Sequence, residues 1–241
     1  MNKGNENKIC CDIENYISDK DSICREERQY ALFLCNVLRY YKRSDGKVKN
    51  IFDACGIPSG AEIENVFYEA AFMRDYFHKS RDDKKDSFNK KLISFVSDKK
   101  FEYTGDEINL GRNKFECKDL PKDKMYTAKW MMEAKPDLAV IYKKENEKYL
   151  LFIECKFESG ESIYKAEDFS LSQRQIQWKI AQFLCKEYWN GDITISDEME
   201  EERSRLVTFV RLSENPKKTP ENPIYITELI KLNEDIFKRE K

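Results

Sequence analysis

Residues 135–156, KPDLAVIYKKENEKYLLFIECK, constrain the fold of this chain more than any other stretch. Two apolar runs, LAVIY and YLLFI, are rich in β-branched and aromatic residues. The charged KKENEK between them has nothing to bury, so the segment reads as a β-hairpin. In a symmetric antiparallel register about Glu145 and Asn146, Asp137 faces Glu154, Ala139 faces Phe152 and Ile141 faces Leu150. Opposed residues share a face with Cβ atoms about 4.5–5.5 Å apart. Alternation along the strand adds Lys156 to that face and turns Ile153 and Cys155 to the other. Two carboxylates and an ammonium therefore converge at the open end, an arrangement that a one-residue slip would break.

Composition narrows the chemistry. A net charge of −2 gives no global attraction to nucleic acid, so any basic binding surface has to be local. No apolar run reaches the length of a membrane span, and MNKGNENK lacks the apolar region of a signal peptide. A soluble, cytoplasmic protein with no membrane partner is expected. The eight cysteines form no CxxC pair and no zinc-ligand spacing, which suits free thiols in a reducing compartment. With His78 as the single histidine, hydrolytic chemistry would have to rest on carboxylates and lysine.

Along the chain, the spacing of Leu32, Cys35 and Leu38 predicts a helix over 22–43, with a short second helix over 48–55 stopped by Gly56. Residues 1–58 are read as a helical N-terminal extension that either packs on the core or serves as a DNA-contacting or dimerising appendage, so a homodimer stays open. A helix over 61–78 is expected from the stripe Ile63, Val66, Phe67, Ala70, Ala71 and Phe77. Within it, Glu69 sits in FYEAAF, where a carboxylate is costly without a partner or a metal. Glu64, nearer the helix start, is accounted for equally well by the helix dipole. A short helix around 88–96, short strands near Gly111, and a loop over 158–170, read as mobile, follow. Then come a helix over 170–190 with Gln173, Ile176, Gln177, Ile180 and Leu184 on one stripe, a solvated acidic run over 197–205, a buried strand over 206–212, a linker, and a C-terminal helix with Thr227 as candidate cap.

Pro136-Asp137 … Glu154-Cys155-Lys156 resembles the PD-(D/E)xK nuclease superfamily, and the resemblance covers roughly residues 60–212. It implies an α/β, restriction-endonuclease-like core in residues 59–241. That core would comprise a helix bearing an acid, a mixed central sheet containing the hairpin, a further helix and a strand. It implies a Mg²⁺-dependent nuclease, with Mn²⁺ as substitute, that hydrolyses phosphodiester bonds. DNA is expected over RNA, in the manner of a restriction or phage-defence endonuclease. Carried over residue by residue, Asp137 and Glu154 would hold the cation, joined by the Cys155 carbonyl. Lys156 would orient water or stabilise charge, and Glu69 or Glu64 would complete the shell. A glutamine at 173, 175 or 177 would stand near the site. The chemistry suits these residue types: Mg²⁺ takes carboxylate oxygens and water, and such a cation lowers the pKa of attacking water. Basic pairs at Lys47/Lys49, Lys84/Lys85, Lys90/Lys91 and Lys217/Lys218 are candidate phosphate contacts.

The bare pattern is weak in a chain this rich in Glu and Lys. Glu116-Cys117-Lys118, with Asp106 upstream, is a second copy, but its flanks EINL and RNKF are too short and polar for a buried strand pair. Two other readings remain: a catalytically silent nucleic-acid-binding or assembly module on the same fold, and a helical interaction protein without a site. The last would require Asp137 and Glu154 on opposite faces.

Overall fold

A computed structural model describes residues 27–79, 82–97, 109–111, 114–116, 120–156, 161–189, 192–193, 206–213 and 223–239. The hairpin forms its centre. Strand β4 (Leu138–Lys144) and strand β5 (Glu147–Lys156) pair with Ala139 opposite Phe152 and Ile141 opposite Leu150, the register expected from the sequence. Glu145 and Asn146 make the turn with φ of 56° and 85°. Two consecutive left-handed residues give the two-residue turn whose twist matches that of paired strands. Stacked Tyr142 and Tyr149 rings, with centroids 5.4 Å apart, clamp the pair beside it.

Around this hairpin lies a mixed five-stranded sheet. β1 (Glu62–Tyr68) runs antiparallel to β4. On the other side β8 (Val207–Ser213) runs parallel to β5, and β9 (Ile224–Tyr225) lies parallel to β8. Period-two alternation sends the apolar residues of the central strands to both faces, and helices cover each, so the architecture is α/β in three layers. One face carries Leu138, Val140, Leu151, Ile153 and Cys155. It is covered by α1 (Glu27–Tyr40), α2 (Lys49–Ala54) and the C-terminal α7 (Ile226–Arg239). The other face carries Ala139, Leu150 and Phe152. It is covered by α3 (Phe72–Lys79), α4 (Asp82–Ser97), α5 (Lys122–Glu133) and α6 (Gln173–Glu187).

The N-terminal helices are integral to this packing. Tyr30, Leu34 and Leu38 of α1 are buried against the sheet, and at about 1.5–3 kcal/mol per large buried side chain they stabilise it substantially. Asn36 Nδ2 donates to Asn233 Oδ1 at 2.9 Å, tying α1 to α7. Gly56, at φ 71°, ends the short helix as expected, and its Cα lies so close to Thr208 of β8 that a Cβ would meet Oγ1 at 2.9 Å. Residues of 27–55 thus share one core with the sheet, the packing alternative among those open for this segment.

Several expectations are corrected. Residues 61–78 are not one helix: the first half is strand β1, and α3 begins only at Phe72. A bulge at Glu64 shifts the β1–β4 register, so Ile63 and Val66, three apart, face the same core. One inserted residue in a strand therefore mimicked helical spacing. The helix expected around 88–96 extends over Asp82–Ser97, and α5, which sequence reading left unassigned, fills part of the gap before the hairpin. In place of a loop, residues 163–172 form a second hairpin, β6 (Ile163–Ala166) with β7 (Phe169–Ser172). Near Gly111 two short strands, β2 (Asn109–Gly111) and β3 (Lys114–Glu116), pair as expected. Thr227 lies inside the first turn of α7, which starts at Ile226, and so is not its cap. The acidic run 197–205, the linker residues 214–222, and Asp106, Cys117 and Lys118 lie outside the described residues. No helix among the described residues is long and apolar enough to cross a membrane.

Candidate active site

At the open end of the hairpin, β4 begins with Leu138 opposite Ile153, so Asp137 and Glu154 are the next residues outward on the two chains, and their side chains share a hydrogen bond. Asp137 is fixed through its backbone and its side chain. Glu69 N–H donates to the Asp137 carbonyl at 2.8 Å and Ala70 N–H to the Pro136 carbonyl at 3.1 Å, so the end of β1 latches the Pro-Asp pair. The Asp137 Oδ2 accepts from the Cys155 backbone N–H at 2.9 Å. Glu154 and Lys156, alternate residues of β5, point to the same face. There they are only 2% and 7% exposed, with Lys156 Nζ 3.8 Å from Glu154 Oε2. Cys155 turns its fully buried side chain into the opposite core. Asp137, Glu154 and Lys156 are thus gathered on one face, which removes the ground for a helical protein without a site.

From above, α6 completes the group. Ser172 caps this helix by accepting from Gln175 N–H, and the Gln175 side chain returns to the Ser172 N–H. This capping box uses up Gln175 and leaves Gln173 and Gln177, one turn apart, facing inward. Gln177 is 1% exposed and donates its amide N–H to Glu154 Oε1. The side-chain oxygens of Gln173 and Gln177 are buried and find no hydrogen-bond partner among the described residues.

Burial pushes the Glu154 carboxyl up to about 8, helped by the neighbouring Asp137 charge and a hydrogen bond shared with it. Lys156 and the Gln177 amide pull in the other direction and do not win. A buried acid beside a second acid keeps its proton because the charged form is desolvated and repelled. Tyr164 of β6 stands close enough for Glu154 to raise its hydroxyl pKa, after burial and ahead of Glu133.

The two candidate acids outside the hairpin part company. Glu69 lies just past β1 in the left-handed region, φ 45°. Its carboxylate bridges Lys135 Nζ at 3.1 Å and Arg28 Nε at 3.4 Å. It contacts Asp137 through the backbone and fixes the loop that carries it. Glu64 pairs with Lys148 at 2.7 Å at the turn end of the hairpin, so the structure does not bring it to the site. Sequence reasoning did not single out Lys135, Arg28 or Tyr164, the last of which fell in the segment expected as a loop. Among the expected basic pairs, Lys91 is engaged by Glu187 and the Tyr188 ring.

No set of three His, Cys, Asp or Glu side chains among the described residues forms a complete metal cage. The donor set is two carboxylates with the orphaned amide oxygen of Gln177 beside them. That set fits a hard divalent cation such as Mg²⁺, which binds through one or two carboxylates and keeps several waters. A cation there would also offset the burial and the Asp137 repulsion that hold the Glu154 proton in place. No protein-family model, curated protein or solved structure matches this chain.

Proposed function

We propose that this protein is a metal-dependent nuclease with a restriction-endonuclease-like core, hydrolysing phosphodiester bonds in nucleic acid, DNA before RNA. The observation that carries the reading is the convergence of Asp137, Glu154, Lys156 and Gln177 on one buried face, with Glu154 held protonated by its surroundings. The order of elements supports it: α1, the strands β1, β4 and β5, then α6 and β8. In this reading α1, not a helix over 61–78, is the first helix of the core.

Asp137 and Glu154 would hold Mg²⁺ or Mn²⁺, with the Cys155 carbonyl as a further oxygen. The bound cation would supply charge neutralisation at the scissile phosphate and a more acidic water. Lys156, beside Glu154, would orient that water and stabilise the negative charge that develops on the phosphate oxygens. Gln177 fixes the Glu154 rotamer through its amide N–H, and its free carbonyl oxygen is placed to accept from a water. Glu69 is a positioning residue: it holds Asp137 through the backbone and ties that loop to α1 by way of Arg28.

The test is incubation of the protein with supercoiled plasmid, single-stranded DNA and RNA in Mg²⁺ or Mn²⁺. Cleavage should stop with EDTA and in Asp137→Ala and Lys156→Ala. A wild-type protein inert on all three substrates with both ions would favour the silent binding module.

A further inference from the structure

A cavity of about 810 Å³ opens between the C-terminal end of α1, the loop after it, the start of α2 and the edge strand β1. It lies at the turn end of the hairpin, where Glu62 of β1 pairs with Lys143, the end opposite Asp137. Its size is that of a small-molecule pocket. The floor is apolar, formed in part by Leu38, Phe52 and Val66, and Tyr40 stands on the rim, 56% exposed.

Charge decides what would enter. Arg43 is neutralised by Asp53, and Glu64 by Lys148. That leaves Arg39, Lys42 and Lys49, whose charged groups have no carboxylate partner among the described residues, against Glu62 and against Asp45, whose carboxylate accepts from the Lys42 backbone N–H at 3.4 Å. A surplus of cations around one recess is notable on a chain with a net charge of −2. Arg39 is also fixed in place: its Nε and Nη2 donate to the Val66 carbonyl at 3.2 and 2.7 Å. Because that acceptor is neutral, the guanidinium keeps its charge and its remaining N–H groups for an anion, with little ordering left to do.

We infer that this cavity binds a free nucleotide, its phosphates on Arg39, Lys42 and Lys49 and its base against the Tyr40 ring and the apolar floor. Two other occupants are disfavoured. A strand adding to the edge of β1 would meet the bulge at Glu64, the exposed Glu62 and an Arg39 that already occupies the Val66 carbonyl, all features that block edge pairing. A nucleic-acid strand leading from the cavity toward Asp137 would follow β1 past Phe67 and Tyr68 to Glu69, whose carboxylate already engages Lys135 and Arg28, the cations its phosphates would need. The site is separate from the carboxylate cluster and does not depend on the nuclease reading.

Isothermal titration calorimetry in EDTA tests this with ATP, AMP, adenosine and a ten-residue oligothymidylate. ATP should bind one to one and more tightly than AMP, with adenosine weaker than ATP by about tenfold or more. Lys42→Glu combined with Lys49→Glu should weaken ATP by a further factor of about ten or more, as repulsion replaces attraction. Circular-dichroism melting of that variant should match wild type, since neither lysine side chain has an ionic partner among the described residues. Asp137→Asn should leave ATP binding intact. Adenosine binding as tightly as ATP, ATP affinity surviving the charge reversals, binding of the oligonucleotide alone, no binding at all, or loss of ATP binding in Asp137→Asn would each overturn the inference.

Discussion

Replacing Glu154 by Gln keeps the shape of the side chain and fixes it in the form the protonated carboxyl takes. Burial and Asp137 raise this group from 4.5 to about 8, and the opposing pull of Lys156 is already included in that value. Between those two pH values the folded protein binds a proton that the unfolded chain has released, so stability falls as pH rises. The slope is about 1.4 kcal/mol per pH unit, which amounts to about 2–3 kcal/mol between pH 6 and the plateau above pH 8. Glu154→Gln removes this contribution and leaves every other titrating group in place. Urea unfolding in EDTA at pH 6, 7, 8 and 9 should therefore show the variant gaining on wild type steadily up to pH 8 and then holding level. A difference that stays constant across the series within about 0.5 kcal/mol would refute the claim that Glu154 is held protonated beside Asp137.

Other outcomes follow from the same geometry. Gln177→Leu removes the amide donor from a buried carboxyl and should cost about 1–3 kcal/mol in a urea melt, with a loss of Mg²⁺-dependent cleavage. Glu64→Gln breaks only the pair with Lys148, 2.7 Å apart and partly exposed, so it should leave cleavage rates unchanged and move stability by less than about 1 kcal/mol. Glu69→Gln should lower kcat with little change in KM, because it loosens the loop that carries Asp137 without touching substrate. Placing Asn-Gly at positions 145 and 146 relieves two left-handed side chains and should raise stability by up to about 1 kcal/mol, read as a higher urea midpoint.

Legibility in the sequence tracked the range of the interactions involved. The hairpin register was readable because a two-residue turn and strict alternation determine it locally, and that register in turn gathers Asp137, Glu154 and Lys156. β1 was misread because the bulge at Glu64 converts a spacing of two into three. α5 was invisible because its buried Thr127, Ala128, Trp130, Met131 and Met132 spread over more than half the helix circumference and leave no stripe. The β6–β7 hairpin owes its order to Tyr164 and Phe169 against the Trp130 ring, contacts from a distant helix that no local pattern announces. Among the three glutamines, the helical stripe already set Gln173 and Gln177 inward, and the cap at Ser172 shows what Gln175 does instead.

In the proposed nuclease, Asp137 and Glu154 form one cation site with Lys156 beside it. Electron paramagnetic resonance counting of bound Mn²⁺ at pH 8 addresses that directly. Wild type should bind at least one ion, Asp137→Asn should lose it, and Lys156→Ala should retain it while failing to cleave. Wild-type protein that leaves all Mn²⁺ free in solution, or Asp137→Asn that binds it as well as wild type, would contradict the account.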